Sequence, residues 1–160
     1  MFAKLLKTEH ITSEKPIMAW DGNCGFCHYW VIRWKLITDN AVIYKPYQEV
    51  AQNFPDIDYH HFTQAIRFID TDGVVYGGSA AVFRAFEYGN KYRWLMPLYR
   101  KIKPVQFLAD HVYRLVSKNR NNMYKVCVLL LGKNPLRQKP YWVIYLTLLA
   151  LFILSITLLA

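Results

Sequence analysis

Cys24 and Cys27 stand two residues apart in the run Asp21-Gly22-Asn23-Cys24-Gly25-Phe26-Cys27-His28, and they are the residues of this chain best suited to covalent chemistry. A thiolate attacks a disulfide sulfur, and a second thiol one helical turn on displaces the product. A Cys-x-x-Cys pair therefore serves attack and resolution together. Its reactivity depends on its place. At a helix N-terminus the first-turn N–H groups are unsatisfied and the dipole is positive, which stabilises a thiolate on the first cysteine. Asp21 is a candidate third member of the site. Beside Cys24 its carboxylate would raise that thiol's pKa, nearer Cys27 it would accept a proton during resolution, and as a turn former it would hydrogen-bond its own backbone. Cys127 stands alone in an apolar stretch, where a small buried or lipid-facing residue is its expected role.

Two other chemistries share these residues. Cys24-Gly-Phe-Cys27-His28 also spells the attachment pattern of c-type haem with His28 as axial ligand, but that chemistry belongs to an exported compartment and residues 1–7 are too short for a signal-peptide apolar region. Zinc needs more ligands than the pair offers. His10 or His60-His61 would have to supply them, without a second Cys-x-x-Cys and at unspecific spacing, so neither a metal nor another cofactor is expected.

The elements around the pair must place it. Residues 16–20 form an apolar run ending in Asp21-Gly22-Asn23, which predicts a buried strand and a tight turn with Asn23 as N-cap. The helix expected over 24–38 carries Cys27, Val31 and Trp34 on one stripe, with Trp30 and Ile37 beside it, and Asp39-Asn40 breaks it before a second strand over 41–46. Strands over 65–69 and 74–76 flank Asp70-Thr-Asp-Gly73, a hairpin signal. Ser79 is the expected N-cap of a helix over 80–88 stopped by Gly89, and helices over 92–101 and 105–117 follow. Val105, Leu108, Val112 and Leu115 recur at helical spacing and read as core, as do Trp20, Trp30, Trp34 and Trp94. A β-α-β unit followed by a hairpin and a helix is the connectivity of a thioredoxin-like α/β (α+β) domain, and a redox pair between its first strand and first helix fits that order.

Composition bounds the rest. With 160 residues, 54% of them hydrophobic and 19% charged, the chain is large enough for one self-sufficient core and too apolar to be disordered. The net charge of +9 is segregated: residues 91–140 hold 12 Lys or Arg against one acid, Asp110. No recognised nucleic-acid motif accompanies these bases, and the uncharged residues 141–160 follow them, so an anionic lipid leaflet is the expected partner and no nucleic acid is. As a helix of roughly 30 Å, 141–160 predicts a C-terminal transmembrane anchor, and the bases before it put the head on the cytoplasmic side. The expected organisation is an extension over 1–14, a domain over 15–122, a basic juxtamembrane segment over 123–140, of which 123–131 suits a membrane interface, and the anchor over 141–160.

On Asp21, Cys24 and Cys27 the sequence resembles the DCC-type thiol-disulfide oxidoreductases, whose signature is Asp-x-x-Cys-x-x-Cys. The Asp70-to-Gly73 turn, Tyr76-Gly77-Gly78-Ser79-Ala80-Ala81, Trp94 with Pro97, and Tyr113 with Asn119-Arg120 extend the match over about residues 15–122. The resemblance implies a thioredoxin-like fold and a dithiol-disulfide oxidoreductase acting through a mixed disulfide, with Cys24, Cys27 and Asp21 at the catalytic site. Its client would be a disulfide-containing protein or a small thiol. One departure from thioredoxins is that Thr63-Gln64, and no proline, precede the strand at Ala65. The competing reading is a membrane-tethered thioredoxin-like interaction module with inert cysteines.

Overall fold

A computed structural model describes residues 6–11 and 13–159, with the side chains of 6, 152 and 154–159 excepted. In chain order the elements are β1 (Leu6–Lys7), β2 (Ile17–Trp20), α1 (Gly25–Thr38), β3 (Ile43–Pro46), α2 (Tyr47–Val50, prolonged by a 3-10 turn), α3 (Tyr59–Gln64), β4 (Arg67–Ile69), β5 (Val74–Gly77), α4 (Ser79–Glu87), α5 (Leu95–Lys101), α6 (Lys103–Lys118), α7 (Arg120–Leu131) and α8 (Tyr141–Leu159). The sheet order is β1-β5-β4-β2-β3, in which β2 and β3 are parallel and the other neighbours antiparallel. This mixed α/β arrangement is consistent with the thioredoxin-like expectation. The two-residue β1, which falls in the expected N-terminal extension, adds an edge strand through pairing with β5.

β2 shows why its sequence is a continuous apolar run. Side chains alternate across a strand, so Ile17 and Ala19 join Phe54, Ile57, Phe62 and Val75 on one face, while Met18 and Trp20 join Val31, Phe68, Ala81 and Met96 on the other. Both faces are covered and no polar position is tolerated. The Asp70–Gly73 turn forms as the sequence predicts, with Gly73 at φ 81° under the Thr8 carbonyl, which a Cβ would strike. Asp39 and Asn40, at φ 44° and 61°, end α1 in the left-handed region.

Several expectations are corrected. Cys24, not Asn23, caps α1: the turn takes one residue more, the Cys24 N–H donating to the Asp21 carbonyl at 3.1 Å and the Asn23 N–H to Asp21 Oδ1 at 3.1 Å. Gly78 occupies the cap of α4, because the Ser79 hydroxyl is engaged with Asp110 on α6. The stripe on α6 is not core. Leu108, Val112 and Leu115 are 63%, 49% and 55% exposed, because the helix turns Ala109 and Tyr113 to the core instead. Trp94 is exposed as well; Trp20 is buried, and Trp30 and Trp34 are half-buried.

α7 packs beside α1, with the rings of Tyr29 and Tyr124 meeting edge to face at 6.4 Å, and the segment after it accepts hydrogen bonds from Tyr29 at the Gly132 carbonyl and from Arg33 at the Pro135 carbonyl. Among the described residues no helix is long and apolar enough to cross a membrane. The transmembrane span expected over 141–160 is therefore not supported. Of that span, residue 160 and the side chains of 152 and 154–159 lie outside the described residues.

Candidate functional site

The redox pair sits where β2 hands over to α1. Cys24, half-buried, is the N-cap of this 14-residue helix, and its Sγ accepts the backbone N–H of Cys27 at 3.1 Å. A sulfur thus takes the capping place that an oxygen usually fills, and satisfies one of the helix's orphan donors. Cys27 lies one turn further in and is buried. Phe26, Trp30, Trp34, Ile66 and Tyr113 form a small apolar recess with it, about 40 Å³ in volume.

The two thiols are electrostatically unlike. A hydrogen bond from the Cys27 thiol, reinforced by the Cys27 N–H and by Arg120, lowers the pKa of Cys24 to about 6 against the opposing effects of burial and of Asp21. Cys27 moves strongly upward: its proton is held by the Cys24 sulfur, and burial and the Cys24 negative charge disfavour a second thiolate. Near neutral pH the pair is one thiolate and one thiol. This is the division of labour that exchange requires.

Asp21 is fixed from three sides. Its Oδ1 accepts Asn23 N–H and Gln48 Nε2 at 3.1 and 3.0 Å, and its Oδ2 faces Arg120 Nη1 at 3.4 Å. Gln48, on α2, also accepts the Gly22 N–H at 3.2 Å, so the loop before the pair is clamped to the opposite face of the sheet. The turn-forming reading of Asp21 is thus realised, while the same carboxylate also meets a cation and acts on both thiols.

Arg120 is the residue that reading for the site overlooked. It comes from the first turn of α7, reaches the Asp21 carboxylate, and donates through Nη2 to the Gln64 carbonyl at 3.4 Å. Burial opposes its charge, but Cys27, Tyr113, Cys24 and Asp21 hold its pKa above the ordinary value. Asn119 makes this placement possible by closing α6 and opening α7 in one residue. Tyr113 is the second omission. Its hydroxyl accepts the Ile66 N–H at 3.2 Å just before β4, beside the point where Thr63-Gln64, and no proline, precede Ala65, and burial pushes that hydroxyl up to about 12. The family resemblance includes Tyr113 with Asn119-Arg120, but these lie about 90 residues from the cysteines, where spacing says nothing about proximity.

The alternative ligands do not gather. His28 is exposed and tilts against Trp20 at 5.8 Å, and His60 Nε2 lies 2.7 Å from Gln64 Nε2. Among the described residues no three His, Cys, Asp or Glu side chains form a group that could hold a metal ion. Cys127 is half-buried on α7, and burial raises its thiol pKa.

Comparison with known proteins agrees with the geometry. Neither the curated proteins nor the solved structures compared with the chain give a match. A family model, DCC1-like thiol-disulfide oxidoreductase, matches residues 18–126, a span that runs from β2 into α7 and holds Asp21, both cysteines of the pair, Tyr113 and Arg120. The match covers more than half of the sequence, and the chain belongs to the DCC1-like thiol-disulfide oxidoreductase family.

Proposed function

We propose that this protein exchanges thiols and disulfides through Cys24 as nucleophile and Cys27 as resolving thiol. The observation that carries the reading is the unequal pair: a half-exposed Cys24 at the N-cap of α1, its Sγ accepting the Cys27 N–H at 3.1 Å, over a buried Cys27, an arrangement that lowers the pKa of the first thiol and raises that of the second. The Cys24 thiolate attacks one sulfur of a client disulfide, the client S–S bond breaks, and the departing thiolate takes a proton from solvent. Cys27 then loses its proton and attacks Cys24 Sγ. The mixed disulfide breaks, the second client thiol leaves, and the two enzyme thiols end as a disulfide while the client has gained two electrons and two protons. In the mixed disulfide the Cys24 charge that held this proton is gone, but burial and the Asp21 charge still oppose ionisation of Cys27, so a base assists resolution. Asp21, whose charge acts on both thiols, is the carboxylate proposed to receive that proton through water.

Trapping tests this against an inert interaction module. A Cys27→Ser variant should accumulate mixed disulfides with clients in cells, and a Cys24→Ser variant should accumulate none. Equal trapping by both, or by neither, would sink the reading.

A location is proposed with it: attachment to an anionic membrane surface through the C-terminal segment, with the head on the cytoplasmic side. Support comes from the exposed apolar face of α6, including Phe107 at 68%, from the apolar α8, and from the bases of 91–140. In sealed spheroplasts external protease should leave the head intact until lysis; cleavage before lysis contradicts this placement.

A further inference from the structure

We infer that the groove beside the redox pair binds a small disulfide bearing carboxylates, an inference that rests on the exchange reading above. The groove has a volume of about 880 Å³ and is bordered by Thr63, Gln64, Arg114, Lys118, Arg120 and Asn121. That size is of the order of small-molecule sites, roughly 300–1,000 Å³. Three of its border residues are cationic and none is acidic. Arg120 is engaged with Asp21, but Arg114 and Lys118 make no ion pair among the described residues; the one hydrogen bond of the Arg114 side chain is from Nε to the Asp110 carbonyl at 3.3 Å. Their charge is free for an anion.

The groove also leads to the chemistry. Ser117 and Arg120 border both this groove and the apolar recess of Cys27, and Arg120, paired with Asp21, also acts on Cys24, so a ligand whose carboxylates rest on Arg114 and Lys118 would extend past Arg120 toward the pair. Such a ligand has two thiol halves, each with a negative charge. One half would meet the cations while its sulfur is presented to Cys24, and the step is the exchange already written: the ligand's S–S bond is reduced to two thiols as Cys24 and Cys27 become a disulfide. A concave site with unpaired cations also raises the encounter rate of an anion, and salt weakens the effect.

The test uses the full chain, reduced, with three probe disulfides: glutathione disulfide, which is anionic; bis(2-hydroxyethyl) disulfide, which is neutral; and cystamine, which is cationic. The rate of loss of the Cys24 and Cys27 thiols is followed by quenching and mass. The ratio of the anionic to the neutral rate should fall roughly tenfold in the Arg114→Glu, Lys118→Glu double variant and by a smaller factor in the Arg114→Gln, Lys118→Gln pair, while the cystamine-to-neutral ratio rises. Added salt should shrink the wild-type ratio. An unchanged ratio in both double variants overturns the groove and leaves the exchange reading standing, since the probes still oxidise the pair. If no probe oxidises the pair, the exchange reading falls and takes this inference with it.

Discussion

The backbone N–H of Cys27 donates to Cys24 Sγ at 3.1 Å, so the residue that caps helix α1 is the residue proposed to attack. Capping and chemistry draw on the same sulfur, and both favour its ionised form. The consequence for stability follows from the sign of the shift. The folded pKa of Cys24, about 6, lies below its ordinary value of 9.0, so its contribution is fully present above that ordinary value and is lost as pH falls through 6. Cys27 shifts the opposite way, and its contribution declines only as pH rises beyond the ordinary thiol range. Urea denaturation of the reduced protein should therefore show the wild-type midpoint gaining on that of Cys24→Ser as pH rises from 6 to 9. Parallel midpoints across that window would contradict the assignment.

Asp21 and Arg120 oppose each other at Cys24, one raising and one lowering its pKa. Arg120→Met should raise the Cys24 pKa and slow its alkylation at pH 6 by roughly two- to fivefold. Asp21→Asn should have the reverse effect on alkylation, yet lengthen the life of the mixed disulfide, because the proposed proton acceptor is gone. A purely structural role for Asp21 would slow or spare both steps together, and stopped-flow measurement of the two phases separates the cases.

Tyr113 ties α6 to the strand beside the site by accepting the Ile66 N–H at 3.2 Å. Tyr113→Phe leaves that buried donor unpaired, which should cost about 1–3 kcal/mol in denaturant unfolding. A loss below about 0.3 kcal/mol would show that this hydrogen bond does not hold β4 in place.

The order β-α-β, the hairpin and the position of Cys24 and Cys27 were legible in the sequence because each rests on local signals: apolar runs, an Asp-Gly turn, and a helix opening at the motif. The Asp21 turn was legible for the same reason. Arg120 was not, since only the turn at Asn119 and the packing of α7 on α1 bring it to Asp21 across 99 positions. The α6 stripe misled because helical periodicity reports that an apolar face exists and not what covers it; Ala109 and Tyr113 took the core side, and Leu108, Val112 and Leu115 were left outside. Capping residues shifted by one at both Asn23 and Ser79, where sulfur and a carboxylate partner on a distant helix changed which side chain was available.

The account stands most directly on the ionisation of Cys24. Alkylation of the reduced full chain with iodoacetamide from pH 4 to 10, each adduct assigned by peptide mass, measures it. The account predicts that Cys24 is modified first, with a rate that rises through a midpoint near pH 6, while the buried Cys27 reacts only after it and more slowly. A Cys24 midpoint near 9, or modification of Cys27 before Cys24, would contradict it.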